Sequence, residues 1–421
     1  MNVRDTCKWL VEGFSAYRQT FMVGLAASAA HLGYGVLNQS AIPPYVVMLG
    51  WTGYIGIIYA AWLIAETLSK APMGTLADRV GVRPMYVSAA IIGAFSAYLW
   101  TVVRNIWVIL GIRVLDGISS AGIWTITIVA MSETVPTERR TTAMGAFTLT
   151  YLVGLSLGPL FGGFSNDITH SKETSFYVAS LLFMLTAVLV YFIVPKKRES
   201  GTAASDGGLK LPFLTQMRIG LKAFPDFMLI AAVVFFSFGM LIPVVKLFAM
   251  QELGMSEFGY GLLVLPVALI LAVATLAAGR LAGIWGKVNS VYIGIGIAAA
   301  AMYFVPVIHE PWHLAVLATI IGSGFVIGMP AWLALVADMS AEEVRGAVIG
   351  AIGTGEGAGI ILGVALGGFL YVNVPVHFFR INLDSHYTPF IASAIGLTIC
   401  LFLAMHYIRE DRKRYVTLED V

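Results

Sequence analysis

Apolar residues in this chain come in long runs, not in the alternating or one-sided patterns of soluble strands and helices. Twelve such runs recur, at 19–47, 52–77, 84–104, 107–133, 140–166, 174–195, 226–251, 257–283, 289–308, 312–337, 345–372 and 388–408. A helix needs roughly 20 apolar residues to cross a bilayer, and the longer runs leave room for tilt or interfacial extension. The pattern therefore predicts twelve transmembrane helices, spans 1–12, and an all-α integral membrane protein. Polar residues collect in the connections. The longest, 196–225, opens with Lys196-Lys197-Arg198, passes through a flexible Gly/Ser/Ala stretch at 200–208 and ends in an amphipathic piece at Leu209–Phe224. It reads as a linker with an interfacial helix lying on the membrane. Trp9–Tyr17 reads as an interfacial lead-in. The N-terminus does not read as a cleavable signal peptide, because Arg4, Asp5, Lys8 and Glu12 interrupt it and no compact apolar core follows.

Basic residues orient the spans. With both termini inside, 20 of the 26 Lys and Arg residues fall in cytoplasmic segments. Arg104, Lys172 and Arg380 fall outside, while Lys70, Arg113 and Lys246 lie within spans. Lys246, near the outer end of span 7, is expected to snorkel. The expected location is a plasma (cell inner) membrane, multi-pass, with a cytoplasmic tail at 410–421.

Composition narrows the function. Hydrophobic residues make up 58% and charged residues 12% of the 421, about half the usual charged share, and mean hydropathy is +0.83. These values exclude a soluble enzyme, a disordered chain and, with a net charge of +2, a nucleic-acid binder. Cys7 and Cys400 lie far apart with no metal-ligand spacing around them, so no disulfide, metal or other cofactor is expected.

The halves repeat at an offset of 205. Gly74-Thr-Leu-Ala-Asp-Arg-Val-Gly81 aligns with Gly279-Arg-Leu-Ala-Gly-Ile-Trp-Gly286, and Glu138, Arg140 and Gly145 with Glu343, Arg345 and Gly350. Across 138–164, 10 of 27 positions are identical. Apolar composition alone does not align charges and glycines in one register. The expected organisation is a six-helix bundle at 1–195, the linker at 196–225, a second pseudo-symmetric six-helix bundle at 226–409, and the tail.

Three motifs carry a resemblance. Gly74-x-Leu-Ala-Asp78-Arg79-x-Gly81-x-Arg83 follows span 2, Arg113-Val-Leu-Asp-Gly117 lies on span 4, and Gly154-x-x-x-Gly158-Pro159-x-x-Gly162-Gly163 lies on span 5. In this order and placement the chain resembles the major facilitator superfamily, and within it the drug or metabolite:proton antiporter branch. The resemblance covers nearly the whole chain. It implies a twelve-helix fold with a substrate site between the halves. It also implies a conformational latch made by Gly74, Asp78, Arg79, Gly81 and Arg83 with Glu133, Arg140, Asp338 and Arg345. Asp78 would meet the positive N-terminal end of span 11, although Arg79 and Arg83 also read simply as positive-inside signals. Gly283 replaces the aspartate in the second half, which puts a mirrored latch in doubt. The span-5 glycines form a small face for close helix contact, and Pro159 should bend the helix. In the family that bend packs against the other half and limits leak. Val364 stands in its place in the second half.

Four ionisable groups fall near mid-membrane: His31, Glu66, Asp116 and Glu356. Such groups are costly unless they face a cavity or a partner. At the repeat offset the three acids meet Leu271, Ile321 and Tyr151, so symmetry does not explain them. Glu66 precedes Lys70 by one turn and Asp116 follows Arg113 by three residues, so each reads either as a proton carrier or as a structural ion pair. Arg113 corresponds to the arginine the family links to proton coupling. Glu356, in Gly353-Thr-Gly-Glu-Gly-Ala-Gly359, has small neighbours and no local partner, which suits a proton carrier or cation site. His31 reads as a coupling residue or a bonded core histidine. Asn38, Gln39, Trp62, Trp124 and Tyr151 are candidates to line a substrate cavity. Family drug exporters often carry an acid on span 1, and this span does not. His170, His309, His313, His377 and His386 read as scattered loop histidines rather than a metal or pH-sensing site.

The expected function is secondary active transport by alternating access, as proton-coupled efflux of small amphipathic or cationic compounds. Its partners are a small-molecule substrate, protons and the lipid bilayer, with the chain acting as a monomer. A permease for one metabolite, lipid or ion and a non-transporting membrane sensor stay open as alternatives.

Overall fold

A computed structural model describes residues 18–133, 140–194, 224–339, 342–378 and 381–408. Residues 196–223 of the expected linker, the tail and Cys7 lie outside the described residues. Helix dominates because lipid offers the backbone no hydrogen-bond partners, so each crossing segment must satisfy its own.

The helices are α1 (Arg18–Gly35), α2 (Ile42–Met48), α3 (Ile55–Val80), α4 (Val82–Val102), α5 (Ile106–Glu133), α6 (Arg140–Thr169), α7 (Thr174–Ile193), α8 (Pro225–Gly239), α9 (Val245–Gln251), α10 (Glu257–Trp285), α11 (Lys287–Met302), α12 (Pro311–Asp338), α13 (Glu342–Asn373) and α14 (Thr388–Tyr407). Helix lies on every stretch read as a span. Among the described residues, nine helices are long and apolar enough to cross a membrane. Strongly exposed apolar side chains, such as Phe192 at 79% and Trp107 at 73%, suit a lipid-facing surface.

Three features depart from twelve uninterrupted helices. Span 1 passes through a π-helical segment, Val36–Ala41, between α1 and α2. Span 7 is broken by turns at 240–244 between α8 and α9. A short antiparallel hairpin, β1 (Val376–Phe378) and β2 (Ile381–Leu383), precedes α14. Lys246 is 3% exposed and so does not snorkel. It lies in the first turn of α9, after the break, among buried Leu247, Phe248 and Ala249.

Two compact units form. Of the described residues, the first holds 18–49, 61–194 and 256–262, and the second holds 50–60, 224–255 and 263–408. In the first unit, α1 packs mainly on α6 and α7, and α4 on α5 and α7. In the second, α8 packs mainly on α13, and α11 on α12 and α14.

Glycines set these packings. An added Cβ at Gly154, Gly158 or Gly162 of α6 would strike His31, Gly35 or Ser40. On α13, Gly359, Gly363 and Gly367 meet Ala232, Phe236 and Met240 in the same way. The contacts of α13 step by four residues along α8. Those of α6 step by four and then five along span 1, because the π segment inserts one residue. The repeat is also visible in the turns. Gly81 and Gly286, 205 residues apart, cap α4 and α11 with φ of +103° and +84°. Only glycine adopts that conformation without strain.

Candidate functional site

The first unit holds a buried polar network around Arg113. Arg113 and Asp116 on α5 are 0% and 1% exposed, and Arg113 Nη1 donates to Asp116 Oδ2 at 2.9 Å. Nη2 donates to Asn38 Oδ1 at 2.8 Å, and Asn38 Nδ2 donates to the Tyr34 carbonyl at 3.2 Å. Ser96 donates to Asp116 Oδ1, and Trp100 Nε1 donates to Oδ2 at 3.5 Å. The guanidinium carbon lies 5.1 Å from the Trp62 ring centroid. Each charge thus has an opposite charge and further hydrogen bonds, which a buried pair requires. Asn38, read as a cavity residue, is bound into this network by the π segment that presents it.

Glu66 is held differently. Its carboxylate meets Lys70 Nζ at 2.8 Å and accepts from Ser120 Oγ at 2.9 Å. Both ionic side chains touch solvent space, Glu66 at 13% and Lys70 at 43%. Gly117 makes room for α3 here, because its missing Cβ would strike the Trp62 carbonyl, Ala65 and the Glu66 nitrogen. Three rings adjoin. Tyr151 meets His31 at 5.3 Å and Trp124 at 5.1 Å, both edge-on at 90°. Lys70 Nζ lies 5.7 Å from the Trp124 centroid. The Trp62 indole N–H is buried and has no hydrogen-bond partner among the described residues. Gln39 is half-buried. The result is a wall with an ion pair, a hydroxyl and aromatic faces, able to hold flat or charged groups.

In the second unit, Glu356 on α13 is half-buried, with the Trp332 side chain of α12 beside it. No ion pair reaches it among the described residues.

A second polar cluster escaped the sequence. Glu257, 1% exposed, accepts from Lys172 Nζ at 2.5 Å and from Asn166 Nδ2 at 3.1 Å. Asp167 accepts the Phe258 backbone N–H at 3.1 Å, which satisfies one free donor of the α10 N-terminus. All belong to the first unit. As a charge at the start of an apolar run, Glu257 looks like an ordinary loop residue. Two loop histidines also have local structural partners. His313 Nδ1 accepts the Glu310 N–H at 3.3 Å in the capping box of α12, and His386 pairs with Glu252. Among the described residues, no group of three or more His, Cys, Asp or Glu could hold a metal.

The sequence profile of the Major Facilitator Superfamily matches residues 14–224 and 227–420. The chain belongs to the Major Facilitator Superfamily. It is a secondary transporter of small molecules in a membrane, and not an enzyme. It is 26% identical over 326 residues to the class B tetracycline resistance protein of Escherichia coli, covering 76% of this chain and 79% of that one. It is 24% identical over 323 residues to the multidrug resistance protein MdtG of Salmonella choleraesuis strain SC-B67, covering 73% and 77%. Its fold resembles a bacterial homolog of the human lysosomal transporter Spinster, with a TM-score of 0.76, 16% identity and coverage of 96% and 99%. The nucleoside transporter NupG gives 0.76, 13%, 92% and 98%.

The family motifs of this facilitator fall as follows. Gly74 lies in α3 and Gly81 makes the turn after it. Arg79 is exposed, and Arg83 lays its guanidinium 4.2 Å from the Tyr191 ring centroid within the first unit. Asp338 pairs with Lys287 in the second unit. The side chains of Asp78, Glu133, Arg140 and Arg345 lie outside the described residues. On α6, which runs on through Pro159, Gly154, Gly158 and Gly162 face span 1. Gly163 instead faces Glu257 and Phe258.

Proposed function

We propose that this facilitator is a proton-coupled exporter of small amphipathic or cationic compounds. It works by alternating access as a monomer in the plasma (cell inner) membrane, with both termini cytoplasmic. The way its three mid-span carboxylates are held carries this reading. Asp116 is wholly buried and bonded to Arg113, Ser96 and Trp100. Glu66 and Glu356 are only half-buried, so each is open to exchange a proton for the positive charge of a substrate. Aromatic faces beside Glu66 suit cations. The relatives named for tetracycline and multidrug resistance support export as the direction, and the bias of Lys and Arg toward alternate connections supports the orientation.

The test is proton flux in proteoliposomes that contain an internal pH dye, challenged with ethidium, tetraphenylphosphonium, sugars and amino acids. The expected result is protein-dependent collapse of an imposed gradient by the cations, lost in Glu356→Gln or Glu66→Gln. Coupled transport left intact by Glu66→Gln, Asp116→Asn and Glu356→Gln, each made singly, overturns the coupling assignment. Flux that runs inward with protons overturns export.

A further inference from the structure

A cavity in the second unit adjoins Glu356 through Trp332 and otherwise shares no residue with the site above. Helices α8, α11, α12 and α14 surround it, and its lining contains no ionisable residue. Phe235 and Phe238 line it from α8, and Phe325, Gly328, Met329 and Trp332 from α12. Positions 325, 328, 329 and 332 recur at helical spacing and so share one face of α12. The rings stand edge to face. Phe325 lies 6.2 Å from Phe235 at 84° and 5.5 Å from Phe238 at 79°. Gly328 keeps the space open, because a Cβ there would meet only Gly294 Cα at 3.8 Å and the Ser290 carbonyl at 4.0 Å.

Trp332 links this cavity to a charge. Its ring stacks on Phe227 at 5.2 Å, its side chain lines the cavity, and it lies beside the Glu356 carboxylate. The repeat sharpens the point. The positions of Met329 and Glu356 are those of Trp124 and Tyr151 in the first half. There the two rings pack against each other beside a carboxylate already paired to Lys70. Here a thioether and a carboxylate replace the rings, beside an open apolar slot. An acyl chain would need neither aromatic walls nor a nearby carboxylate. An aromatic cation uses both.

We propose that this cavity is a ring-binding subsite, which takes the aromatic group of an amphiphilic cation while Glu356, beside Trp332, holds its positive charge. The proposal rests on the cation-export reading and names where in the chain the substrate's ring and charge are recognised.

The test is equilibrium binding of radiolabelled tetraphenylphosphonium to the purified full-length chain in detergent. Competition by triphenylphosphine oxide, which offers rings without the net charge, reports the neutral part. Gly328→Leu fills the slot and Phe325→Ala removes one wall. Each is expected to weaken both probes about tenfold, the size of one lost ring contact. Glu356→Gln is expected to weaken only the cation. Melting curves check that each variant folds. Phe325 is 38% exposed, so its truncation is the safer variant should Gly328→Leu fail. Binding of both probes unchanged in Phe325→Ala and Gly328→Leu, with tetraphenylphosphonium still transported in proteoliposomes, overturns the subsite and leaves export standing. No binding and no transport of the cation overturns both. A co-purifying phospholipid that Gly328→Leu displaces without changing cation binding assigns the cavity to lipid and overturns the proposal.

Discussion

Arg113 and Asp116 illustrate how a membrane interior tolerates charge. Each is buried, and each is answered by the other and by further donors or acceptors. Removing one partner leaves the other uncompensated, which costs about 3–5 kcal/mol. Asp116→Asn is therefore expected to lower the melting temperature of the detergent-solubilised protein sharply. Asp116→Asn combined with Arg113→Met is expected to recover part of that loss. If the single variant melts like the wild type, Asp116 is not the counter-charge of Arg113. Glu66 and Lys70 form the contrasting case. With Lys70 at 43% exposure, their pair is worth about 0–1 kcal/mol. Lys70→Met is expected to leave melting nearly unchanged while altering cation-driven proton flux, because it frees the Glu66 carboxylate. A large loss of stability with unchanged flux would make the pair structural. Sequence spacing revealed both pairs, since partners three or four residues apart share a helix face. It concealed Ser96, Trp100 and Asn38, because these reach the pair from other helices and no local pattern records such a meeting.

At the scale of elements, glycine spacing determines which helices touch. Gly158 lies so close to the Gly35 backbone that a methyl group has no space, and the obstacle is main chain that cannot rotate away. Gly158→Ala is expected to cost about 1–3 kcal/mol by overpacking, read as a lower melting temperature and lower yield. Gly353→Ala is the control. Nothing lies within 4 Å of a Cβ there, so the change should be neutral or stabilise α13 by about 0.5–1 kcal/mol. Equal effects in the two variants would remove the packing argument. The glycine stripe was legible in the sequence, but its partner was not. The family resemblance pointed Pro159 toward the other half, and Gly261 of α10, in span 8, does lie against the Pro159 and Leu160 backbone, while Gly154, Gly158 and Gly162 face span 1. The interruptions were also hidden. The π segment and the turns at 240–244 lie inside runs that are apolar throughout, so hydropathy reads straight across them. Pro43, Pro44 and Pro243 were the available signals, since proline lacks the N–H that a regular helix interior uses. Lys246 was misplaced for the same reason: a break in span 7 was not expected, and the residue after it is buried.

At the scale of the whole molecule, the repeat is the property that sequence and fold share most fully. The turns at Gly81 and Gly286, the interruptions in spans 1 and 7, and the glycine contacts of α6 and α13 recur at or near one offset. What breaks the symmetry is chemistry. Glu66, Asp116 and Glu356 have no acidic counterparts in the other half, and each unit answers its acids in a different way. Two units of like fold and unlike chemistry suit a transporter whose halves must move together while a charge is handled on selected helices. Such a scheme needs an even number of crossings, which puts the termini and the linker on one face. Cysteine labelling tests it directly. In a Cys7→Ser background only buried Cys400 remains. A membrane-impermeant maleimide is expected to label His309→Cys, in the connection before α12, in intact cells. It is expected to label Ser205→Cys, in the linker, only after permeabilisation. Labelling in the reverse order would invert the orientation that the basic residues predict. Labelling of both sites in intact cells would mean an even number of crossings between residues 205 and 309, where the twelve-span pattern requires three.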